Sequence, residues 1–429
     1  MLRLLVIWAV ALWTTVPSHA AASTLERAGT GARALGLAGA GVATSRGAAA
    51  TYDNPAALAG LKRAEALISG ASLRYFVDIE RGGAADRWPT ITPKSLLLGT
   101  AAVAVPVSDR VGVGLLVHLP LDGPSRLLSF DHRRPQLPLW QGLGERLAIA
   151  ASLGYRPTDW LAIGFTGHVA ADLDAKGSFG LSLADGSFTQ QDLDVHLRSR
   201  IVPSMSAMLE VTTRLRFVLR WRAAYEVTYD VPLSLDVAGI GPVAMQVAGT
   251  GLLSPDVFTL ASAWQQSATT TWVATVRFER WSTLPPLSAS VRVVAGDPPA
   301  WLEAYDDRPS PGAADILVAH VGASHRINAA FVIRGAAGFR PTPLPRASGA
   351  ASWLDSHATE LAAGITWRAL DRLEVDFGAT WSHLLTRRVD KRDAADPIGF
   401  VGVSGDVLHL ALTFRQALTS SASASPPTQ

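Results

Sequence analysis

RLRFVLRWRAAYEVTY, residues 214 to 229, is the stretch from which the architecture is read. Leu215, Phe217, Leu219, Trp221, Ala223, Tyr225, Val227 and Tyr229 alternate with Arg214, Arg216, Val218, Arg220, Arg222, Ala224, Glu226 and Thr228. Successive side chains of a β-strand point to opposite faces, so the first set makes one apolar face and the second gathers arginine, glutamate and threonine. A helix, with its period of about 3.6 residues, would mix the two sets. A strand of about 16 residues exceeds the usual globular length of about 5–6. A tilted strand needs only about 9–11 residues to cross a bilayer. The segment therefore predicts a single membrane-spanning strand, with lipid on one side and a polar interior on the other. An edge strand of a soluble sandwich is the competing reading.

Composition leans the same way. Charged residues make up 17% of the 429-residue chain, against roughly 25% in soluble domains. The net charge of +2 is too small to point to nucleic acid. Cysteine is absent, which excludes disulfides and thiolate chemistry. At the N-terminus Arg3 is followed by the apolar run from Leu4 to Trp13 and then Ser18-His19-Ala20, the layout of a secretory signal peptide over 1–20. No later apolar run reaches the roughly 18 residues of a membrane helix; Leu96 to Leu121 is broken by Pro106 and by Ser108-Asp109-Arg110. An exported chain of this kind crosses a membrane as strands.

About fourteen strands are expected, near 64–79, 95–106, 110–119, 144–156, 160–172, 191–211, 214–230, 255–266, 270–281, 315–325, 328–340, 357–368, 371–385 and 403–415. Tight turns alternate with long connections, such as 120–143, 231–254 and 282–314. Short turns on one rim and long loops on the other define an all-β, antiparallel up-and-down transmembrane barrel spanning 63–415. Residues 416–429 read as a disordered tail. Tyr155, Trp160, Tyr229, Trp281, Trp367 and Trp381 fall near strand ends, where aromatic girdles belong. The strand near 315–325 is apolar on both faces, which leaves its register open.

The inward sets are mostly small, as in Gly112 and Gly114, or Ala148, Ala150, Ser152 and Gly154. They leave room for the Gly- and Ala-rich segment 21–62, which shows no strand alternation, no Rossmann spacing and no Walker lysine. Arg214, Arg216, Arg220 and Arg222 have two readings. They pair inside the lumen with Glu226, Glu279, Glu374 or Asp376, or Arg220 or Arg222 receives the carboxylate of a substrate. Apolar loop residues, among them Leu127, Leu128, Phe130, Leu137, Leu139 and Trp140, form a greasy mouth or pack on one another. There is no nucleophile elbow and no zinc-like set. His320 and His325, five apart, fall on opposite faces of a strand, so no metal site is expected. No cofactor is expected and an enzyme is disfavoured.

Gly31-Ala32-Arg33-Ala34-Leu35-Gly36-Leu37-Ala38-Gly39-Ala40-Gly41-Val42-Ala43, followed by Asn54-Pro55-Ala56, resembles the mature start of the FadL/TodX-type outer-membrane transporters of hydrophobic compounds. Leu253-Ser254-Pro255-Asp256 and Arg280-Trp281-Ser282 add diffuse support. The resemblance implies a 14-stranded barrel in the outer membrane of a Gram-negative cell, with an N-terminal hatch (21–62) held at Asn54, Pro55 and Ala56. It implies passive uptake of long-chain fatty acids or aromatic hydrocarbons, released sideways at a kinked strand. Gly112 and Gly114 are candidates for that kink, and ordinary lumen packing is the alternative. The implied partners are a hydrophobic ligand, outer-membrane lipid and the barrel-assembly machinery, and the implied state is a monomer. A barrel of the same superfamily acting as a secretion or surface-assembly partner is the alternative function.

Overall fold

In the computed structural model, the described residues are 29–418 apart from 84–88, 122–133, 141–146, 182–187, 238–240, 289, 296–309, 345–351 and 392–398. The signal-peptide expectation lies outside them, as do Leu127, Leu128 and Phe130. Fourteen strands form a closed antiparallel wall. In chain order they are β1 (Glu65–Gly82), β2 (Leu96–Ser108), β3 (Val111–Pro120), β4 (Ala148–Thr158), β5 (Leu161–Leu181), β6 (Phe188–Glu210) and β7 (Leu215–Arg222). Three strands that lie off the wall, β8 (Tyr225–Val237), β9 (Gly241–Ser254) and β12 (Ser290–Ala295), interrupt the second half. The remaining wall strands are β10 (Val257–Gln265), β11 (Thr270–Glu279), β13 (Ile316–Arg326), β14 (Phe331–Arg340), β15 (Ala358–Leu370), β16 (Leu373–Lys391) and β17 (Gly399–Ala417). β1 closes the ring on β17 in one unbroken register, from Glu65↔Ala417 to Gly82↔Phe400. Closure matters because an open edge would leave unpaired N–H and C=O groups on an apolar surface.

The outer surface is apolar. Leu97, Leu115, Phe165, Leu260, Leu317, Phe377 and Leu412 all expose their side chains there. Tyr155, Trp264, Trp272, Trp367 and Trp381 are exposed aromatic side chains, and Trp264 and Trp272 face each other across β10 and β11. Inward positions are small and buried, as in Ala148, Ala150, Ser152 and Ala162. The register left open near 315–325 is settled. Leu317 and Val321 face out; Ile316, Val318 and His320 face in.

The stretch 214–229 is two strands, not one. β7 ends at Arg222, and β8 begins at Tyr225. The break is shared with the partner strand: Arg222 pairs with Val257 on β10, whereas Tyr225 pairs with Ser254 on β9. Pro255 and Asp256 lie opposite Ala223 and Ala224, and Asp256 Oδ1 accepts the Ala224 N–H at 3.1 Å. The alternation ran through the break because two alanines carry no facial preference. Past it the phase changes, and Tyr225 is buried rather than lipid-facing. β8 and β9 form a hairpin that leaves the wall, pairs in parallel with the outer end of β5, and takes up β12 on its far edge. The connections 231–254 and 282–314 therefore contain strands. β17 runs to Ala417, two residues into the segment expected as a tail, and 419–429 lie outside the described residues.

The described parts of the connections 80–94, 120–143, 282–314 and 341–356 pack at one end of the barrel. Gln136 bridges Ile91 on one side and Trp353 on the other. Leu137, Leu139 and Trp140 join Trp281, Leu284, Leu287, Leu344, Trp353 and Leu354 in one cluster against Leu73, Leu96, Val318, Val401 and Val403 of the wall. Packing on one another is thus the outcome for the described loop residues. Trp281 belongs to this core and is fully buried, not part of a girdle. Inside the cluster Arg340 lies over the rings of Trp140 and Trp281, at 5.8 and 6.0 Å. Its guanidinium meets Asp355 Oδ2 at 3.5 Å, and Asp355 also accepts from Trp140 Nε1 at 2.7 Å and from Thr342 Oγ1 at 2.7 Å. Both ionised groups are fully buried, so removing one strands the other in an apolar surround. Asp355→Ala should cost about 3–5 kcal/mol, read as a lowered unfolding midpoint in denaturant.

Candidate functional site

Residues 29–62 fill the lumen. They run as a short helix Gly31–Leu35, 3-10 turns at Ala40–Thr44 and Gly47–Ala49, a helical turn Ala50–Asp53, and a 3-10 turn Pro55–Gly60. Such short pieces do not hold together alone; the wall holds them. Ala32 N–H donates to Thr413 Oγ1 at 2.8 Å, and Thr380 Oγ1 donates to the Leu35 carbonyl at 2.7 Å. Thr275 Oγ1 donates to the Ala40 carbonyl at 2.9 Å, and Ala48 N–H donates to Glu65 Oε1 at 3.0 Å. Ser152 Oγ donates to the Thr51 carbonyl at 2.6 Å. These anchors lie on β17, β16, β11, β1 and β4, so the segment is tied around the circumference.

Asn54, Pro55 and Ala56 lie against the wall at β4, β5 and β6. Ala56 N–H donates to Ser206 Oγ of β6 at 2.9 Å. Asn54 is fully buried, and its Nδ2 approaches Val42 O at 3.5 Å and Met208 Sδ at 3.9 Å. The Pro55 and Ala56 backbone lies directly on Gly164 and Gly154, where any side chain would strike it. Gly112 and Gly114 do the same service for Leu58 and Thr51. Gly112 pairs with Pro106 on β2 and Gly154 on β4, and Gly114 pairs with Ala104 and Ser152; the β2–β3 register shifts beside Gly112, between Pro106 and Ser108. The two glycines mark where the inserted segment touches the wall.

Arg220 and Arg222 also turn toward the segment. Arg220 stacks over the Tyr52 ring at 5.1 Å, and Arg222 reaches Tyr52 Oη at 3.4 Å and Ser254 Oγ at 3.0 Å. Two of the carboxylates considered as their partners, Glu374 and Asp376, lie on the inserted segment's own arginine, Arg33, at 2.9 and 3.2 Å, and Asp376 binds Arg415 at 2.7 Å. Glu279 meets Arg277 at 3.6 Å. Asp53 is the carboxylate nearest in role: it accepts from Thr30 N–H at 2.9 Å and from Thr30 Oγ1 at 3.1 Å. Burial pushes its pKa up to about 6, against the pull of Arg220 and of the Thr30 and Ser45 hydrogen bonds. His320 is buried on Glu360, Nε2 to Oε2 2.5 Å, while His325 is exposed beside Thr270. Small spaces remain between segment and wall. Two of them, one beside Arg220 and Asp53 and one beside Arg33 and Asp376, measure about 30 Å³ each, where ligand pockets hold about 300–1,000 Å³.

No protein-family model and no curated protein sequence matches the chain. Solved structures do. A FadL homologue from Pseudomonas aeruginosa superposes with a TM-score of 0.62 at 13% identity, covering 94% of this chain and all of that one. The toluene transporter TbuX of Ralstonia pickettii gives 0.55 at 16% identity, with 92% and 100% coverage. The toluene transporter TodX of Pseudomonas putida gives 0.55 at 12%, with the same coverage. The fold is that of a plugged 14-stranded β-barrel. More particularly, it is the barrel fold of the FadL and TodX structures over nearly the whole chain.

Two outcomes follow from this geometry. Gly164→Val places a side chain on the Ala56 backbone and should weaken seating of the segment by about 1–3 kcal/mol; planar-bilayer conductance of the variant should rise above the wild-type level while the barrel stays folded. Asp53 has a raised pKa only when seated, so the seated state binds the extra proton between its ordinary value of 3.8 and about 6. Seating should therefore strengthen as pH falls from 7 toward 4 and level off below. Channel openings should be rarer at pH 5 than at pH 7.5, and Asp53→Asn should flatten that difference.

Proposed function

We propose that the chain is an outer-membrane channel for passive uptake of hydrophobic small molecules, gated by its N-terminal hatch. The observation that carries this reading is the seating of Asn54-Pro55-Ala56 on side-chain-free wall, inside a barrel that shares its fold with structures described as toluene transporters. The apolar, aromatic-studded outer surface and the closed ring of strands support residence in a bilayer. Short turns then face the periplasm and long loops the outside. The ligand class is long-chain fatty acids or aromatic hydrocarbons, bound by apolar burial at about 25 cal/mol per Å².

The two small spaces beside the seated hatch are far below ligand size, and in this reading transport proceeds by movement of the hatch. The movement has to release the hydrogen bonds to Ser206, Thr380, Thr413 and Ser152. Lipid at the outer face, the assembly machinery during insertion and a monomeric state complete the proposal. Chemistry on the ligand is not part of it.

The natural absence of cysteine permits a clean test. A Cβ built on Gly114 would lie 3.1 Å from Thr51 Cβ, near the roughly 3.5–4.5 Å spacing of a disulfide. A double variant, Thr51→Cys with Gly114→Cys, should lose at least tenfold of its uptake of a labelled hydrophobic compound when oxidised and recover it on reduction. Undiminished uptake through the oxidised, locked protein would overturn hatch gating.

A further inference from the structure

The short-turn end of the barrel holds a basin of about 280 Å³ between the hatch and the turns 211–214 and 266–269. Arg33 and Arg46 of the hatch line it together with Arg214, Arg216, Arg334 and Arg368 of the wall and turns. Glu210 is the one carboxylate in that lining. Glu374 and Asp376, deeper in the wall, engage Arg33, Arg334 and Arg368, and both are also shared with Arg415. Arg214 and Arg216 form no ion pair among the described residues, and both are solvent-exposed. The Nε of Arg33 is buried without a hydrogen-bond partner among the described residues. Crowding of like charge is felt: Arg33, more than any other group, lowers the pKa of Arg46. Thr212 and Thr271 also line it.

A structural ion-pair network would match its cations with anions. This basin leaves cations over, in a concave space with a low-dielectric wall, which concentrates the field on an incoming anion. Guanidinium groups bind carboxylate and phosphate oxygens in pairs. The space is at the small end of ligand pockets, suited to a compact anion and too small for a polymer to enter.

We propose that this basin is a binding site for a small oxyanion, a carboxylate or phosphate group, with Arg214 and Arg216 as its solvent-side clamp and Arg33 and Arg46 as its floor. The site is independent of the transport reading, since it requires an open short-turn face and not hatch movement. Two of its four named cations belong to the hatch, so an occupied basin would tie hatch and wall together.

The test is calorimetric titration of the purified full-length protein, in uncharged detergent at low ionic strength, with sodium benzoate in one arm and inorganic phosphate in the other. Saturable binding of either anion is expected, with the arm that binds naming the source. Binding should weaken as salt rises. The double variant Arg214→Gln with Arg216→Gln should bind at least tenfold more weakly. Arg388→Gln, at the opposite rim, should bind as wild type. If the double variant fails to show the heat-modifiable gel mobility of a folded barrel, Arg46→Gln takes its place with the same expected loss. No saturable binding in either arm, or equal affinity in wild type and the folded clamp variant, would overturn the site.

Discussion

Backbone lying on bare wall is the contact on which the rest of this molecule depends. The Pro55–Ala56 peptide rests on Gly154 and Gly164, the Ala32 carbonyl on Gly378, and Gly36 on Gly364. An inserted chain with no long helix or sheet of its own has little internal cohesion. It is ordered because its polar backbone groups find hydroxyl partners on the wall, and because the wall lets it come close enough to reach them. Each buried hydrogen bond is worth only about 0.5–1.5 kcal/mol net. Around the circumference they add up to a seat that is stable yet made of separately breakable parts.

Charge is organised by the same contact. The hatch supplies Arg33 to Glu374 and Asp376, and takes Arg220 and Arg222 against Tyr52. These lumen charges thus meet the inserted segment. At the long-loop end a different device operates: an apolar cluster encloses the Arg340–Asp355 pair, whose strength depends on exclusion of water. One end of the barrel is closed by packing, the middle by backbone contact, and the short-turn end is left as an open, cationic basin.

Much of the wall was legible from local pattern. Alternation with tight turns between strands placed β2, β3, β10 and β11 within about two residues of their bounds, because the face preference of each residue is set by its own side chain. The inserted segment was legible from glycine density and small inward residues together. Other features were not. Ala223 and Ala224 do not show which face they take, so the split of 214–229 was visible only through Pro255 and Asp256 opposite them, 32 residues away. Trp281 has the position of a girdle residue, yet residues of two other connections, 134–140 and 341–356, pack in its cluster. The extra strands β8, β9 and β12 pair with one another and with β5 beyond the wall, which no single segment announces.

Strand period, turn length and residue size are local quantities, and they were enough to determine a closed, lipid-compatible cylinder with room inside for its own N-terminus. Which arginine meets which carboxylate, where glycine bends a strand and where it merely makes space, and which rim keeps unbalanced charge were decided by the tertiary structure alone. Those outcomes depend on distances between residues up to several hundred positions apart, such as Arg33 and Asp376. Electrostatic and steric terms act across such distances in space, and a linear pattern carries no record of them.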